Sequence, residues 1–264
     1  MVIRVARALG LRRSLRKLYF RFSRPRDGIL PLRLGPFDCR FHVRTPEHLR
    51  IIGKAGSGRW RLEVTEFLGR ELHDGDVVYD VGSNIGVCSV FAARRVGANG
   101  RVIAFEPEPK TYEYLNDNFR LNGVANARAF QVALGDYKGE GRLHTGDDLL
   151  FSSLVATREG QNRTEAVRVV EGDLFREEES LPRPNVVLID VEGFEYGAMS
   201  GLRQTLSDPA CRAVIAEIHP TLLPPGITGD QVMEFLRSRG FEKINTLQWR
   251  GIPEFHAVAM REPG

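Results

Sequence analysis

The 264-residue chain is long enough for one large α/β domain with an extension, and its 42% hydrophobic content can fill a sizeable core. No apolar run reaches the ~18 residues of a membrane-spanning helix, and three scattered cysteines (Cys39, Cys88, Cys211) exclude a disulfide framework or a cysteine metal site. The net charge of +3 hides an asymmetry: residues 1–26 carry nine Lys/Arg and no acid, leaving 28 basic against 34 acidic residues, a net of −6, in the remainder.

Residues 1–28 therefore form a basic arm. Its apolar residues alternate with arginines, which leaves three readings open: a helix packed on the domain with solvated arginines, an amphipathic helix on anionic lipid, or a nucleic-acid contact. The arm lacks the unbroken apolar stretch and small-residue cleavage site of a secretory signal. We expect a cytoplasmic protein, membrane-peripheral if residues 1–26 meet lipid.

Residues 29–43 read as two strands around Gly35-Pro36, a hairpin. Residues 46–72 read as two helical pieces broken near Gly53 to Gly58, the second with Trp60, Leu62, Val64, Phe67, Leu68 and Leu72 on a helical period. Together 29–72 form an N-terminal extension to a main domain over 73–264. Strands are expected at 77–82, 101–105, 128–134, 185–190 and 212–218, and helices at 85–96, 108–121, 194–206 and 229–239. Two last strands near 241–247 and 254–261, joined by 248–251, suit an antiparallel edge hairpin. Alternation of this kind predicts a mainly parallel, doubly wound sheet with helices on both faces. Residues 135–172 read as irregular; within them 144–164 suit an acceptor-binding loop or lid, or only an edge hairpin.

Three strand ends carry the chemistry. The first is Asp80-Val81-Gly82-Ser83-Asn84-Ile85-Gly86, where Gly82 and Gly86 permit close backbone approach by a nucleotide-type cofactor. A nicotinamide fingerprint needs glycine at 82, 84 and 87; Asn84 and Val87 stand there instead, so a ligand without a pyrophosphate is expected. The second is Glu106, about 20 residues past the glycine turn, where a carboxylate grips a ribose diol; the competing reading is a helix cap. The third is Asp190-Val191-Glu192-Gly193, whose two carboxylates strand alternation aims the same way. His219, two residues past Glu217 at a strand's carboxyl end, joins Asp190 and Glu192 as a candidate proton acceptor. Asp190 with Glu217 suits a divalent cation. Asp136 suits the adenine edge or a turn.

DVGSNIGVCS (80–89), FEPEPKTYEYLNDNFRLNG (105–123), VALGD (132–136), LIDVEGFEYGAMSGL (188–202) and AEIH (216–219) together resemble the FkbM family of S-adenosylmethionine-dependent methyltransferases. The resemblance covers roughly 77–220, not the arm or the hairpin. The family usually has lysine where this chain has Leu188. The resemblance implies a class I (Rossmann-like) seven-stranded methyltransferase sheet and methyl transfer to a hydroxyl of a sugar, a lipid-linked glycan or a secondary metabolite. It further implies that Asp80, Gly82, Ser83, Asn84 and Gly86 cradle the methionine end of the cofactor, with Asp190 beside it. Glu106 would bind the ribose, and Ala133 and Asp136 would lie at the adenine. It also implies Mg²⁺ at positions matching Asp190 and the Glu217 region, as in some related sugar methyltransferases. Two other readings compete. A nucleic-acid methyltransferase guided by the arm is disfavoured because the Asn/Asp-Pro-Pro-Tyr type motif is missing and the other arginines are balanced by acids. The other is a non-catalytic module that meets membrane through residues 1–26.

Overall fold

The computed structural model describes residues 20–56, 62–145, 152–154, 163–248 and 253–262. Most of the basic arm, Trp60, much of the 144–164 segment and residues 249–251 lie outside the described residues.

The strands β1 (Ile29–Leu34) and β2 (Phe37–His42) pair antiparallel, with Leu34 opposite Phe37 across the two-residue turn. Gly35 takes a left-handed φ of 55° there, open to glycine without steric cost. Helices α1 (Pro46–Gly56) and α2 (Leu62–Glu71) follow, and then β3 (Val77–Val81), α3 (Val87–Val96), β4 (Arg101–Phe105), α4 (Pro109–Leu121) and β5 (Ala127–Phe130) alternate as expected. The second half supplies β10 (Val186–Ile189), α6 (Glu195–Gly201), α7 (Arg203–Ser207), β11 (Ala213–Ile218), α8 (Gly229–Ser238), β12 (Lys243–Gln248) and β13 (Phe255–Met260).

These strands make one seven-stranded sheet in the order β12-β13-β11-β10-β3-β4-β5, parallel except for β13. This is the class I, Rossmann-like methyltransferase sheet. Strand order reverses at β3, so the crevice between the carboxyl ends of β3 and β10 is where an open α/β sheet binds its ligand. The buried strands are apolar on both faces and alternate between two cores. Val78, Ala104, Leu188 and Ile215 point to one core with α2, α3 and α4; Tyr79, Phe105, Ile189 and Val214 point to the other with α6 and α8.

Three expectations are revised. The run 128–134 is not one strand: β5 ends at Phe130, and β6 (Ala133–Gly135) leaves the main sheet to pair with β9 (Arg163–Glu171). The stretch read as irregular holds a second sheet, β6-β9-β7-β8, completed by β7 (Gly139–Thr145) and β8 (Ser152–Ser153), before a short α5 (Gly172–Glu178). Residues 139–145, GEGRLHT, hold Leu143 as their one large apolar side chain, so their hydropathy gives no strand signal; they form a strand because β9 pairs with them. The single helix expected over 194–206 is two, broken at Leu202 (φ −103°, ψ 20°).

The hairpin is bound into the domain. Leu32, Leu34, Cys39 and Phe41 share the core of α3 and α4. Asn118 of α4 and Asn122, which caps that helix, latch it in place. Asn118 Oδ1 accepts from the His42 amide and its Nδ2 donates to the Ile85 carbonyl, at 2.9 and 2.8 Å. Asn122 Oδ1 accepts from the Arg40 amide and its Nδ2 donates to the Arg40 carbonyl, at 2.9 and 2.7 Å. Asn118 is fully buried, so Asn118→Ala would strand a donor on β2 and an acceptor in the β3–α3 loop. We expect a loss of about 3 kcal/mol, at about 1–3 kcal/mol for each group left unpaired, read as a lowered thermal midpoint. An unchanged midpoint would show that water replaces the latch.

Near the end of the arm, Phe20 packs against the same core while Phe22 stays exposed. Among the described residues no helix is long and apolar enough to cross a membrane.

Candidate active site

The β3–α3 loop is built on close backbone approach. Gly82 has φ 85°, and a Cβ there would lie 1.9 Å from the Asp190 carbonyl oxygen. Only glycine lets the loop from β3 lie against the end of β10. The Gly82 and Ser83 amides donate to the Phe105 carbonyl at 2.9 and 3.0 Å, closing the loop onto β4. Asp80 is buried and accepts a short hydrogen bond from the Ser89 hydroxyl on α3; Ser83 Oγ donates to the Asp80 carbonyl at 2.6 Å. Asp80 thus holds the loop to its helix. Gly86, with φ 85°, begins α3 where Leu115 of α4 leaves no room for a side chain.

Glu106 does not cap α4; Glu108 does, accepting from the Thr111 amide. Glu106 accepts instead from the Asn84 amide through Oε2 and the Glu108 amide through Oε1, both at 2.9 Å. Burial pushes its pKa up to about 7, even though both backbone donors favour the charged form. Asn84 adopts φ 52°, which aims its amide at that carboxylate.

A cleft opens along these strand ends, about 670 Å³ of empty space with its open solvent included. Gly82, Asn84, Glu106, Asp190 and Glu192 line it, and Val132, Ala133, Leu143 and Leu154 give it apolar surface. Leu143 and Leu154 come from the second sheet and its flank. Asp136 is exposed and does not line the cleft. A second cleft of about 470 Å³ shares Gly82 and Asp190 with the first and is lined by Ser83, Val64, Leu188, Ile215, Glu217 and His256. Leu188 adds apolar surface to it.

Asp190 and Glu192 do converge, but through a turn. Glu192 takes φ 51° and Gly193 φ 103°. The ligand atoms of Asp190, Glu192 and His219 lie within 4.8 Å of one another. His219 Nδ1 lies 2.7 Å from Glu195 Oε1, and Nε2 faces Glu192 at 3.5 Å and Glu217 at 3.9 Å. Burial alone would lower the His219 pKa; the hydrogen bond to Glu195 and the charges of Glu192, Glu195 and Asp190 outweigh it and raise it to about 10. Mg²⁺ takes hard oxygen ligands in an octahedron. The group that converges here brings a ring nitrogen from His219 in place of the expected Glu217, which turns one oxygen toward His256 at 3.6 Å. That donor set is not the all-oxygen shell of Mg²⁺. Glu195 was invisible in the sequence as more than a first-turn helix acid; the E-G-x-E spacing after Asp190 was its only signal.

Residues 80–243 match the family described as the methyltransferase FkbM domain. The chain belongs to the FkbM methyltransferase family. Three curated methyltransferases are similar to it. The hexuronic acid methyltransferase AglP of Haloferax volcanii is 28% identical over 197 residues, spanning 73% of this chain and 75% of that one. The 31-O-demethyl-FK506 methyltransferase FkbM of Streptomyces tacrolimicus is 30% identical over 210 residues, 67% of this chain and 76% of that one. Methyltransferase sdnD of Sordaria araneosa is 26% identical over 195 residues, 62% and 73%. The FkbM match begins at Asp80 and ends in β12, taking in the glycine loop, Glu106, the Asp190 turn and His219. The β1–β2 hairpin and helices α1 and α2 lie outside it.

Proposed function

We propose that this FkbM-family methyltransferase uses S-adenosylmethionine to methylate a hydroxyl of a sugar, a glycan or a secondary metabolite. The observation that carries the reading is one cleft lined together by Gly82, Asn84, buried Glu106, Asp190 and Glu192. The names of the two relatives that act on a hexuronic acid and on 31-O-demethyl-FK506 support an oxygen acceptor.

S-adenosylmethionine, when bound, would supply an electrophilic methyl group for an acceptor hydroxyl. The chain's own residues do the rest. Glu106 would accept hydrogen bonds from the two ribose hydroxyls, an arrangement that favours its charged form. The Gly82–Asn84 backbone leaves room for the methionine end. Val132, Ala133, Leu143 and Leu154 form an apolar wall for the adenine. Asp190 stands where the two clefts meet, so an acceptor in the second cleft is aligned against the first, and alignment is worth several kcal/mol of barrier. The acceptor's proton passes to the Asp190–Glu192–His219 group.

Calorimetric titration with S-adenosylmethionine tests this. Wild-type protein should bind in the micromolar range, and Glu106→Ala should lose about 100-fold or more, the cost of two charge-assisted hydrogen bonds. Because ribose binding needs the Glu106 carboxylate, wild-type affinity should also fall as pH drops below about 7, approaching tenfold per unit. Folded wild-type protein that binds no S-adenosylmethionine would sink the reading.

A further inference from the structure

We propose that Asp190, Glu192 and His219 form a site for one first-row transition-metal dication of the Zn²⁺ kind, with Glu195 as the positioning residue that holds the ring. The mismatch with Mg²⁺ is what points there. Imidazole nitrogen suits Zn²⁺ and its first-row neighbours, and one ring nitrogen with two carboxylates is a donor mix they accept. The site stands on its own geometry and does not need the methyltransferase reading.

The two ring nitrogens are used differently. Glu195 is fully buried and His219 nearly so. Glu195 Oε1 is fixed by the Gly193 amide at 2.9 Å and meets His219 Nδ1 at 2.7 Å, an ordinary hydrogen bond. Nε2 instead has Glu192 Oε2 at 3.5 Å and Glu217 Oε1 at 3.9 Å. Those separations are long for hydrogen bonds. The shorter one matches two ligands on one tetrahedral ion, since bonds of roughly 2.1 Å set ligand atoms about 3.4 Å apart. One ligand atom from each of Asp190, Glu192 and His219 lies within 4.8 Å of the other two. A ring whose Nδ1 is held by a carboxylate while Nε2 turns to a cation is the arrangement in which histidine ligates metals.

The backbone holds the ligands in place. Glu192 sits at φ 51°, a left-handed conformation that L-residues rarely adopt and that clusters at ligand clamps. Gly193, at φ 103°, lets this turn press on the loop after His219: a Cβ there would lie 2.5 Å from the Leu222 carbonyl oxygen. The Leu222 amide in turn donates to the His219 carbonyl at 2.8 Å. The two segments that carry the ligands are thus locked to each other. Three protein ligands leave a fourth position open, as in catalytic zinc sites. The ion replaces any proton on Nε2, which passes to solvent. Asp190 lines both clefts, so the ion would stand where they meet. There it would polarise an acceptor oxygen and make the hydroxyl proton easier to lose; this use alone rests on the methyltransferase reading.

The test titrates the metal-free full chain with Zn²⁺ and, separately, with Mg²⁺, and needs no acceptor. One Zn²⁺ should bind per chain in the micromolar range or tighter, and Mg²⁺ at least about 100-fold more weakly. His219→Gln and Glu192→Gln should each weaken Zn²⁺ by about 100-fold or more. Glu195→Gln, which keeps the shape of the site, should weaken it by about 10–100-fold with the thermal midpoint unchanged; a purely structural Glu195 would move the midpoint and not the affinity. Should a variant fail to fold, X-ray absorption of the zinc-loaded wild type decides: nitrogen and oxygen neighbours at about 2.0–2.1 Å and no sulfur at about 2.3 Å. No Zn²⁺ bound, Mg²⁺ bound as tightly as Zn²⁺, a sulfur neighbour, or Zn²⁺ affinity unchanged in His219→Gln and Glu192→Gln would overturn the site. S-adenosylmethionine titrated onto the same samples keeps the two readings apart. Zn²⁺ binding without cofactor binding would sink the methyltransferase reading and leave the site standing; cofactor binding without Zn²⁺ binding would do the reverse.

Discussion

Gly82→Ala should cost about 4 kcal/mol or more and remove cofactor binding together with it. Two effects add. At φ 85° an L-residue is strained by its own Cβ. That Cβ would also lie 1.9 Å from the Asp190 carbonyl oxygen and 3.2 Å from a Val191 methyl. The clash is with backbone, not the far end of a flexible side chain, so it is relieved only by prying β3 from β10. The prying would move Asp190, which ends both clefts. A domain of ordinary stability holds about 5–15 kcal/mol, so the variant should survive at low temperature with a lowered urea midpoint. Urea unfolding and cofactor calorimetry on the same sample check this. A variant with wild-type midpoint and affinity would show that the crevice tolerates a gap there, and the close-approach account of the loop would fail.

Gly201→Ala should be nearly as damaging, at about 3 kcal/mol, although it is no neighbour in sequence of Asp190 and Glu192. Gly201 is the last residue of α6, and a Cβ there would lie 1.7 Å from the Gly135 carbonyl oxygen at the end of β6. The neighbouring backbone of Gly172 is 3.2 Å away. Helix and strand touch main chain to main chain, so the added methyl must push β6 outward. Ala133 and Leu134 of β6 line the first cleft, which carries the displacement to its apolar surface. Affinity for S-adenosylmethionine should fall alongside the thermal midpoint. Loss of stability with unchanged affinity would place the adenine elsewhere.

What the sequence made legible follows from how far each signal reaches. The parallel strands are buried on both faces, so each announces itself as an apolar run followed by a turn residue, and β3, β4, β10 and β11 fall where those runs lie. Gly82 and Glu106 were readable because the glycine turn and the acid occupy neighbouring strand ends at a fixed chain spacing. The second sheet was not readable. Its β6 is only three residues long and its β7 is mostly polar, and what makes 139–145 a strand is β9, whose partner residues lie 18 to 30 positions further along the chain. The direction of the carboxylates was expected from strand alternation; they converge through the left-handed Glu192 instead. Glu195 was hidden because a first-turn helix acid has an ordinary explanation, and only the fold brings His219 to it across 24 residues. Asn118 and Asn122 sat within a recognisable motif whose physical purpose, tying Arg40 and His42 to α4, depends on a hairpin about 80 residues upstream.

That latch bears on how the molecule can be divided. The family match begins at Asp80, which invites treating everything before the sheet as an appendage. Yet Asn118 holds β2 with one end and the Ile85 carbonyl, next to the cofactor loop, with the other. Leu32, Phe41, Ile52 and Leu68 complete a core shared with α3. Cutting the chain before β3 would uncover that core and leave Asn118 facing an absent strand. The extension is thus no exchangeable module: its boundary is written in the chain, not in the packing. A graft of this sheet onto a different N-terminal segment would inherit a loop with one of its two anchors gone.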